Sequence, residues 1–472
     1  MGEYRKVLLG PTKDFILNFI SSTEEDKYIV DEVIEVFATH VEALYKAGLI
    51  NESLKNKTLE ALTKSKKPLL EIMNKSNFED IHEALEMYLK NVLGDTYGYL
   101  VIGRSRNDHV ATALRLKCLK GIDKILELLK ELRKEILLKA CKYVNNIMPL
   151  YTHLQQAQLS SIAHYLLYMD EVIKVHTNLL KYIKDHVVSL SPFGSSAAAG
   201  TTVCIDRVFE RDKLGFKGLC ENTLYATSSR DFITLTLSVL TSLFAELTRF
   251  FNDLITWNMV EISTVKLPKE HVSTSSVMPH KKNPVTLEVL RALTSELMGY
   301  LIVTLGIVKS VGSGYSLDLQ EVNKYLIKGI DSTIKGVKVL IDLVRGLEFD
   351  VDGWVRIVRS NYYLVLTDIA EITSVKCGVP YRSIYNVIAG IVRECGSSKE
   401  CFLNKLCSKV KGLCTNYVEL CKLIRNLIEN PLNVLKLRCV IGSPNPNATL
   451  STIKSRLREI GFSLTCDDVK GD

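Results

Sequence analysis

The 472 residues are 47% hydrophobic and 24% charged, the composition of a soluble globular protein with length for more than one domain. Sixty basic residues stand against 53 acidic ones, a formal charge of +7 that is spread along the chain and not gathered into a block. Such a charge suits an anionic partner without identifying nucleic acid, for which no recognised motif is present. No run of 18 uncharged apolar residues and no N-terminal apolar leader are present, so the expectation is a cytoplasmic chain without membrane contact. The twelve cysteines contain no CxxC pair, and reduced buried thiols are the default reading, with one or two disulfides open only for a hyperthermophile source. Cys395, Cys401, Cys407, Cys414 and Cys421 recur every six or seven residues, a spacing that suits helix faces better than a zinc site.

Helix breakers are scarce along the middle of the chain. Gly121 is the only glycine or proline from Ser105 to Met148, and neither residue occurs between Pro149 and Pro192 or between Gly218 and Pro268. Within the second stretch Leu159, Ile162, Ala163, Leu166, Met169, Ile173, Leu180, Ile183 and Val187 recur at three- and four-residue steps, which predicts one helix with an apolar face. A helix of about 30 residues spans roughly 45 Å and must pack lengthwise against others, some from further copies of the chain. The expectation is an all-α protein with three helical regions: 1–104, a long central bundle at 105–357, and 358–472.

Four segments stand out chemically. Gly103-Arg104-Ser105-Arg106-Asn107-Asp108 precedes a long helix. Ser105 followed by Asp108 reads as a capping box, while two arginines and an asparagine at a helix start also form a carboxylate-binding edge. Tyr151-Thr152-His153-Leu154-Gln155-Gln156-Ala157-Gln158 is read as opening the next helix. A lone histidine is more often structural, yet His153 is flanked by more polar donors than packing needs. Gly194 to Thr202 is rich in small residues but lacks the ending of a phosphate-binding loop. Thr274-Ser275-Ser276-Val277-Met278-Pro279-His280-Lys281-Lys282-Asn283-Pro284 allows Asn283 as an N-cap with Pro284 at the first helical position; its hydroxyls and lysine pair also suit a loop that closes over a substrate. HExxH, paired Cys/His spacings and GxSxG are absent from the sequence, leaving metal hydrolysis and acyl transfer without support.

The loop Ser275-Ser276-Val277-Met278-Pro279-His280-Lys281-Lys282-Asn283-Pro284 resembles the SSxMPxKxNP signature of the fumarase and aspartase superfamily. Within it, SRND at Ser105, YTHLQQAQ at Tyr151, PFGSSAAAGTTVCIDR, ATSSRDF ending at Phe232 and YSLDLQE from Tyr315 resemble the argininosuccinate lyase family. The similarity continues more weakly through LTDIAE and GVPYRS to GSPNP, so it covers nearly the whole chain in order. The resemblance implies an all-α homotetramer whose active sites each draw on three chains, no metal or organic cofactor, and the substrate argininosuccinate. It implies catalytic roles for Ser275, His153, Lys281 and Glu288, and substrate contacts at Ser22, Ser105, Arg106, Asn107, Thr152, Asn283, Tyr315 and Gln320.

The reaction so implied removes a proton beside a succinyl carboxylate, which becomes a dianion before the guanidino nitrogen leaves. Lys281, Asn283 and loop N–H groups suit that charge in a closed, dry site. By resemblance Ser275 is the proton-abstracting base and His153 serves the leaving group with Glu288 setting its tautomer; the residues alone leave open which takes and which gives the proton. Three positions depart from the family. Asn323 occupies a position that commonly holds lysine, with Lys324 one step and about 100° further around a helix. His280 replaces the usual glutamine, as in adenylosuccinate lyases, and Thr274 replaces a glycine. An adenylosuccinate lyase-like enzyme and a catalytically silent relative of the delta-crystallin kind are the alternatives; SRND and YSLDLQE weigh against the first, and the retained Ser275, His153, Lys281, Asn283 and Glu288 against the second.

Overall fold

The computed structural model describes residues 8–10, 12–75, 78–462 and 466. Helices dominate, as the scarcity of breakers predicts. Five are long: α1 (Arg106–Lys142), α2 (Ile162–Ile183), α3 (Asp231–Asn258), α4 (Val285–Val308) and α5 (Asn323–Gly346). At 37 residues, α1 extends about 55 Å. Strands occur only in two-stranded ribbons among the described residues, so the all-α class stands.

One stretch departs from the sequence reading. Residues 147–161 form an antiparallel hairpin, β1 (Ile147–Thr152) and β2 (Gln155–Ser161), so YTHLQQAQ is not the start of a helix, and α2 begins only at Ile162. The two-residue turn is His153-Leu154, both with positive φ, 55° and 59°, the geometry that matches the right-handed twist of paired strands. Leu159, which fits the helical period of α2, is instead the inward residue of a strand, packed in the C-terminal core. The period carried no information across the turn because the usual glycine or asparagine of such turns is missing.

Two compact units are described, each assembled from separate stretches. The first comprises 1–128, 175–245 and 292–336; the second comprises 129–174, 246–291 and 337–472. Each long helix has one part in either unit.

In the first unit, short helices are set by side-chain caps: Asn51 accepts from Leu54 N, Asp80 from Glu83 N, and Asp206 from Phe209 N. Val33, Val36, Phe37, Val41, Leu85 and Leu89 are buried around them. His40, His82 and His109 meet edge to face in the same interior beside Phe37 and Phe193. Burial drives the His40 and His82 rings down to about 3 and lowers His109 well below its ordinary value, so all three are neutral.

The second unit packs its C-terminal helices around Ile369, Ile384, Phe402, Leu406, Ile424 and Leu435. Arg133 and Arg456 both bind the fully buried Asp170 carboxylate, at 2.7 and 2.8 Å. Three disulfides, Cys141–Cys466, Cys395–Cys401 and Cys407–Cys421, correct the expectation of reduced thiols. The expectation weighed compartment above proximity; cysteines six and fourteen residues apart on neighbouring helices meet across the helix turn.

Candidate active site

In the first unit a cavity of about 190 Å³ is lined by Glu79, Asp80, Arg106, Asn107, Tyr315 and Gln320, together with apolar groups. The start of α1 builds one wall. Asp108 accepts a hydrogen bond from Ser105 N at 3.0 Å and Ser105 Oγ accepts from Asn107 N at 3.3 Å, completing the predicted cap. Gly103 approaches Val203 and Ile205 so closely, with a φ of +73°, that no side chain fits there. Asp108 also accepts from Ser196 N, and Asn107 donates to Ala197 O, so the small-residue loop 194–202 braces this turn instead of cradling phosphate.

Opposite, Arg106 donates to Glu79 and Asp80 at 3.1 and 3.0 Å. Ser22 donates to the buried Asp26 carboxylate, which also accepts from Ile81 N. Burial raises Asp26 to about 7, against the pull of those two hydrogen bonds; burial and the Asp26 charge raise Asp80 to about 8. Gln320 Nε2 reaches Ile20 O at 3.5 Å. Ser22, Ser105, Arg106, Asn107, Tyr315 and Gln320, six of the expected substrate contacts, thus belong to one neighbourhood carrying both a cation and acidic groups.

In the second unit Ser273 and Thr274 pair antiparallel with Asn283 and Lys282, closing the loop between them. Asn283 is therefore in a strand, and α4 starts at Val285 after Pro284, which moves the expected cap by one residue. Buried His271 fastens the root of the loop, its ring bridging Thr286 at 3.3 Å and Asp342 at 3.0 Å. Within the loop Ser275 Oγ accepts from Val277 N at 3.3 Å and Met278 N at 3.0 Å. Two N–H donors on one hydroxyl oxygen favour its deprotonated form, in the manner of an oxyanion hole. Ser275 is half-buried, whereas His280, Lys281 and Glu288 are exposed. Thr152 and His153 are exposed at the tip of the β1–β2 hairpin. Among the described residues no hydrogen bond or ion pair joins His153 to Glu288 or to Ser275. No group of three or more metal-ligating side chains is found among them either.

A lyase family model matches residues 9–299. The chain is 40% identical to the argininosuccinate lyase of Pyrococcus furiosus over 97% of its own length and 95% of that protein's. It belongs to the argininosuccinate lyase family. The argininosuccinate lyase of Pyrobaculum arsenaticum is 39% identical over 84% of the chain and 90% of that protein. Among solved structures, an EDDS lyase variant with bound fumarate superposes with a TM-score of 0.82 at 20% identity, covering 95% of this chain and 89% of the other. A class II fumarase from Schistosoma mansoni gives 0.70 at 16% identity, covering 86% and 91%. These two likenesses concern the fold.

Measured against the argininosuccinate lyase pattern, the departure at Asn323 is structural as well as chemical. Asn323 is buried with its side-chain oxygen unpartnered, and Lys324 pairs with Glu321 at 2.6 Å. Lys324 is thus committed elsewhere. Sequence reasoning missed Glu79 and Asp80, the acidic partners of Arg106, because they lie on the approach to an ordinary helix cap. It also missed Arg230, buried behind Tyr315; its only sequence signal is a charged residue inside ATSSRDF, at the start of an apolar helix.

Proposed function

We propose that this chain is an argininosuccinate lyase, releasing L-arginine and fumarate by reversible β-elimination. The observation that carries the reading is its sequence identity with argininosuccinate lyases along nearly its whole length, and the gathering of Arg106, Asn107, Tyr315 and Gln320 around one cavity supports it. Ser275, as an alkoxide whose oxygen is held by two N–H groups, takes the proton from the carbon beside a succinyl carboxylate and becomes a hydroxyl. The C–H electron pair moves into that carboxylate as a dianion, then returns to form the new double bond as the C–N pair leaves with the guanidino nitrogen. Lys281 and Asn283 stabilise the intermediate carboxylate dianion, and His153, oriented by Glu288, delivers a proton on the leaving-group side. Ser22, Ser105, Arg106, Asn107, Thr152, Tyr315 and Gln320 hold the substrate.

The assembly is a homotetramer whose sites draw on three chains. Supporting this, α4 has the length and composition of a membrane-crossing helix yet only 17% of its apolar window is buried, against 56% for α3. Val289, Met298, Ile302 and Leu305 are exposed on α4, and burial against further copies gives such a face its ordinary partner. The chain acts in the cytoplasm, with the stretches 1–104, 105–357 and 358–472 as N-terminal, bundle and C-terminal parts.

The test is fumarate absorbance on incubating the protein with argininosuccinate or adenylosuccinate separately. Release from argininosuccinate is expected; release only from adenylosuccinate, or from neither, overturns the reading. Ser275→Ala should lose at least a hundredfold in kcat while still binding substrate, a drop of about 3 kcal/mol or more in transition-state stabilisation. Near-normal turnover removes Ser275 from the mechanism. Light scattering should give a tetramer mass.

A further inference from the structure

Arg230 immediately precedes α3 and is 1% exposed. Its Nη1 donates to Thr227 O and Ser229 O, at 3.3 and 2.9 Å, while Nε and Nη2 have no partner among the described residues. Among the described residues no carboxylate is within ion-pair reach of it. Arg115, equally buried nearby, faces Asp231 at 3.9 Å and lies over the Phe232 ring at 4.4 Å, although its Nε and Nη2 also lack a hydrogen bond among these residues. A buried cation without a counter-ion is costly, and an apolar side chain of the same volume is often more stable in its place. The two backbone carbonyls occupy one of its nitrogens and leave its charge without a paired carboxylate.

The guanidinium lies 5.9 Å from the centre of the Tyr315 ring, at the outer range of a cation–π contact. Tyr315 in turn lines the cavity shared with Arg106, Asn107 and Gln320. Burial raises its phenol; the Arg230 and Arg106 charges oppose that rise, and those of Asp80 and Asp26 add to it. The lysine that the family commonly places three residues after Gln320 is missing here, and Asn323 in its place carries no charge.

We infer that Arg230 is a positioning residue for substrate binding: it holds the Tyr315 ring and makes its hydroxyl a stronger donor to a substrate carboxylate, supplying from behind the ring the positive field that position 323 lacks. This rests on the proposed lyase reading. A substrate carboxylate bound at Tyr315 adds negative charge near Arg230 and offsets part of the cost of burying its cation.

The test is a double-mutant cycle on argininosuccinate cleavage by the full-length protein, with Arg230→Met, Tyr315→Phe and both together, and Arg230→Lys as the charge-retaining control. Arg230→Met should raise KM about tenfold and lower kcat less than threefold, with a thermal midpoint equal to or above that of the parent. The double variant should be little worse than Tyr315→Phe alone, and Arg230→Lys should recover most of the KM. Unchanged KM in Arg230→Met, multiplicative effects in the double variant, or a lowered midpoint that Arg230→Lys restores together with KM, would show a merely structural residue and overturn the inference. Failure of the parent protein to release fumarate is a different result: it removes the functional reading, and this inference with it.

Discussion

Replacing Glu210 with glutamine tests whether the buried interior of the first unit is neutral or ionic. Glu210 is fully buried, its oxygens make no hydrogen bond among the described residues, and its nearest basic group is His40 Nδ1 at 3.6 Å. Burial first, then repulsion from Asp108, pushes its carboxyl up to about 8 from the ordinary 4.5, against an opposing pull from Arg207. Between those two pH values the folded chain keeps a proton that the unfolded chain has released. Stability therefore falls as pH rises through this window and levels off above 8. A gap of between three and four units, at roughly 1.4 kcal/mol each, amounts to about 5 kcal/mol. Glutamine is nearly isosteric with the protonated acid and does not titrate. Glu210→Gln should match the parent at pH 5 and exceed it by about 4–5 kcal/mol at pH 9, read from urea unfolding at fixed protein concentration. An ion pair between Glu210 and protonated His40 predicts the opposite, a variant weakened by several kcal/mol near pH 6. That outcome would refute the neutral interior.

The histidine trio sets the acid limit. Because His40 and His82 fall to about 3 and His109 is lowered as well, stability should drop as pH falls below about 6.5 and continue toward 3, and His82→Phe should flatten that limb in an acid unfolding series. At the hairpin tip Leu154 is 88% exposed with φ at 59°, so Leu154→Gly should raise stability by up to about 1 kcal/mol in thermal unfolding. A clear loss would mean that the leucine packs against another copy. Non-reducing peptide mapping should recover Cys141 with Cys466, and Cys466→Ser should lower stability by up to about 6 kcal/mol, the loop-closure value for a separation of 325 residues. Recovery of Cys141 as a free thiol would contradict the pairing.

Much of the architecture was legible because long helices leave a simple trace: few breakers, and apolar residues at three- and four-residue steps. The same rule misled at 147–161. There Leu159 continues the period of α2 by coincidence, and the turn is made by His153 and Leu154, residues that rarely hold positive φ and so give no warning. Ser105 to Asp108 was legible because its capping and its carboxylate-binding edge are local. Glu79, Asp80 and Arg230 were not, because what marks them is proximity to Arg106 and Tyr315 from distant stretches of chain. The disulfides failed for a related reason: spacing along one helix says nothing about which neighbour a thiol faces.

The Cys141–Cys466 bond has a topological consequence. It makes a covalent ring of everything from the end of α1 to residue 466, enclosing the hairpin and the Ser275 loop. A protease that cuts once inside the ring opens it without dividing it, so the nicked chain keeps one mass until a reductant is added. Loops within the ring can be cleaved one at a time with no fragment released, and each cut then reports on the loop and not on the loss of a piece of the protein.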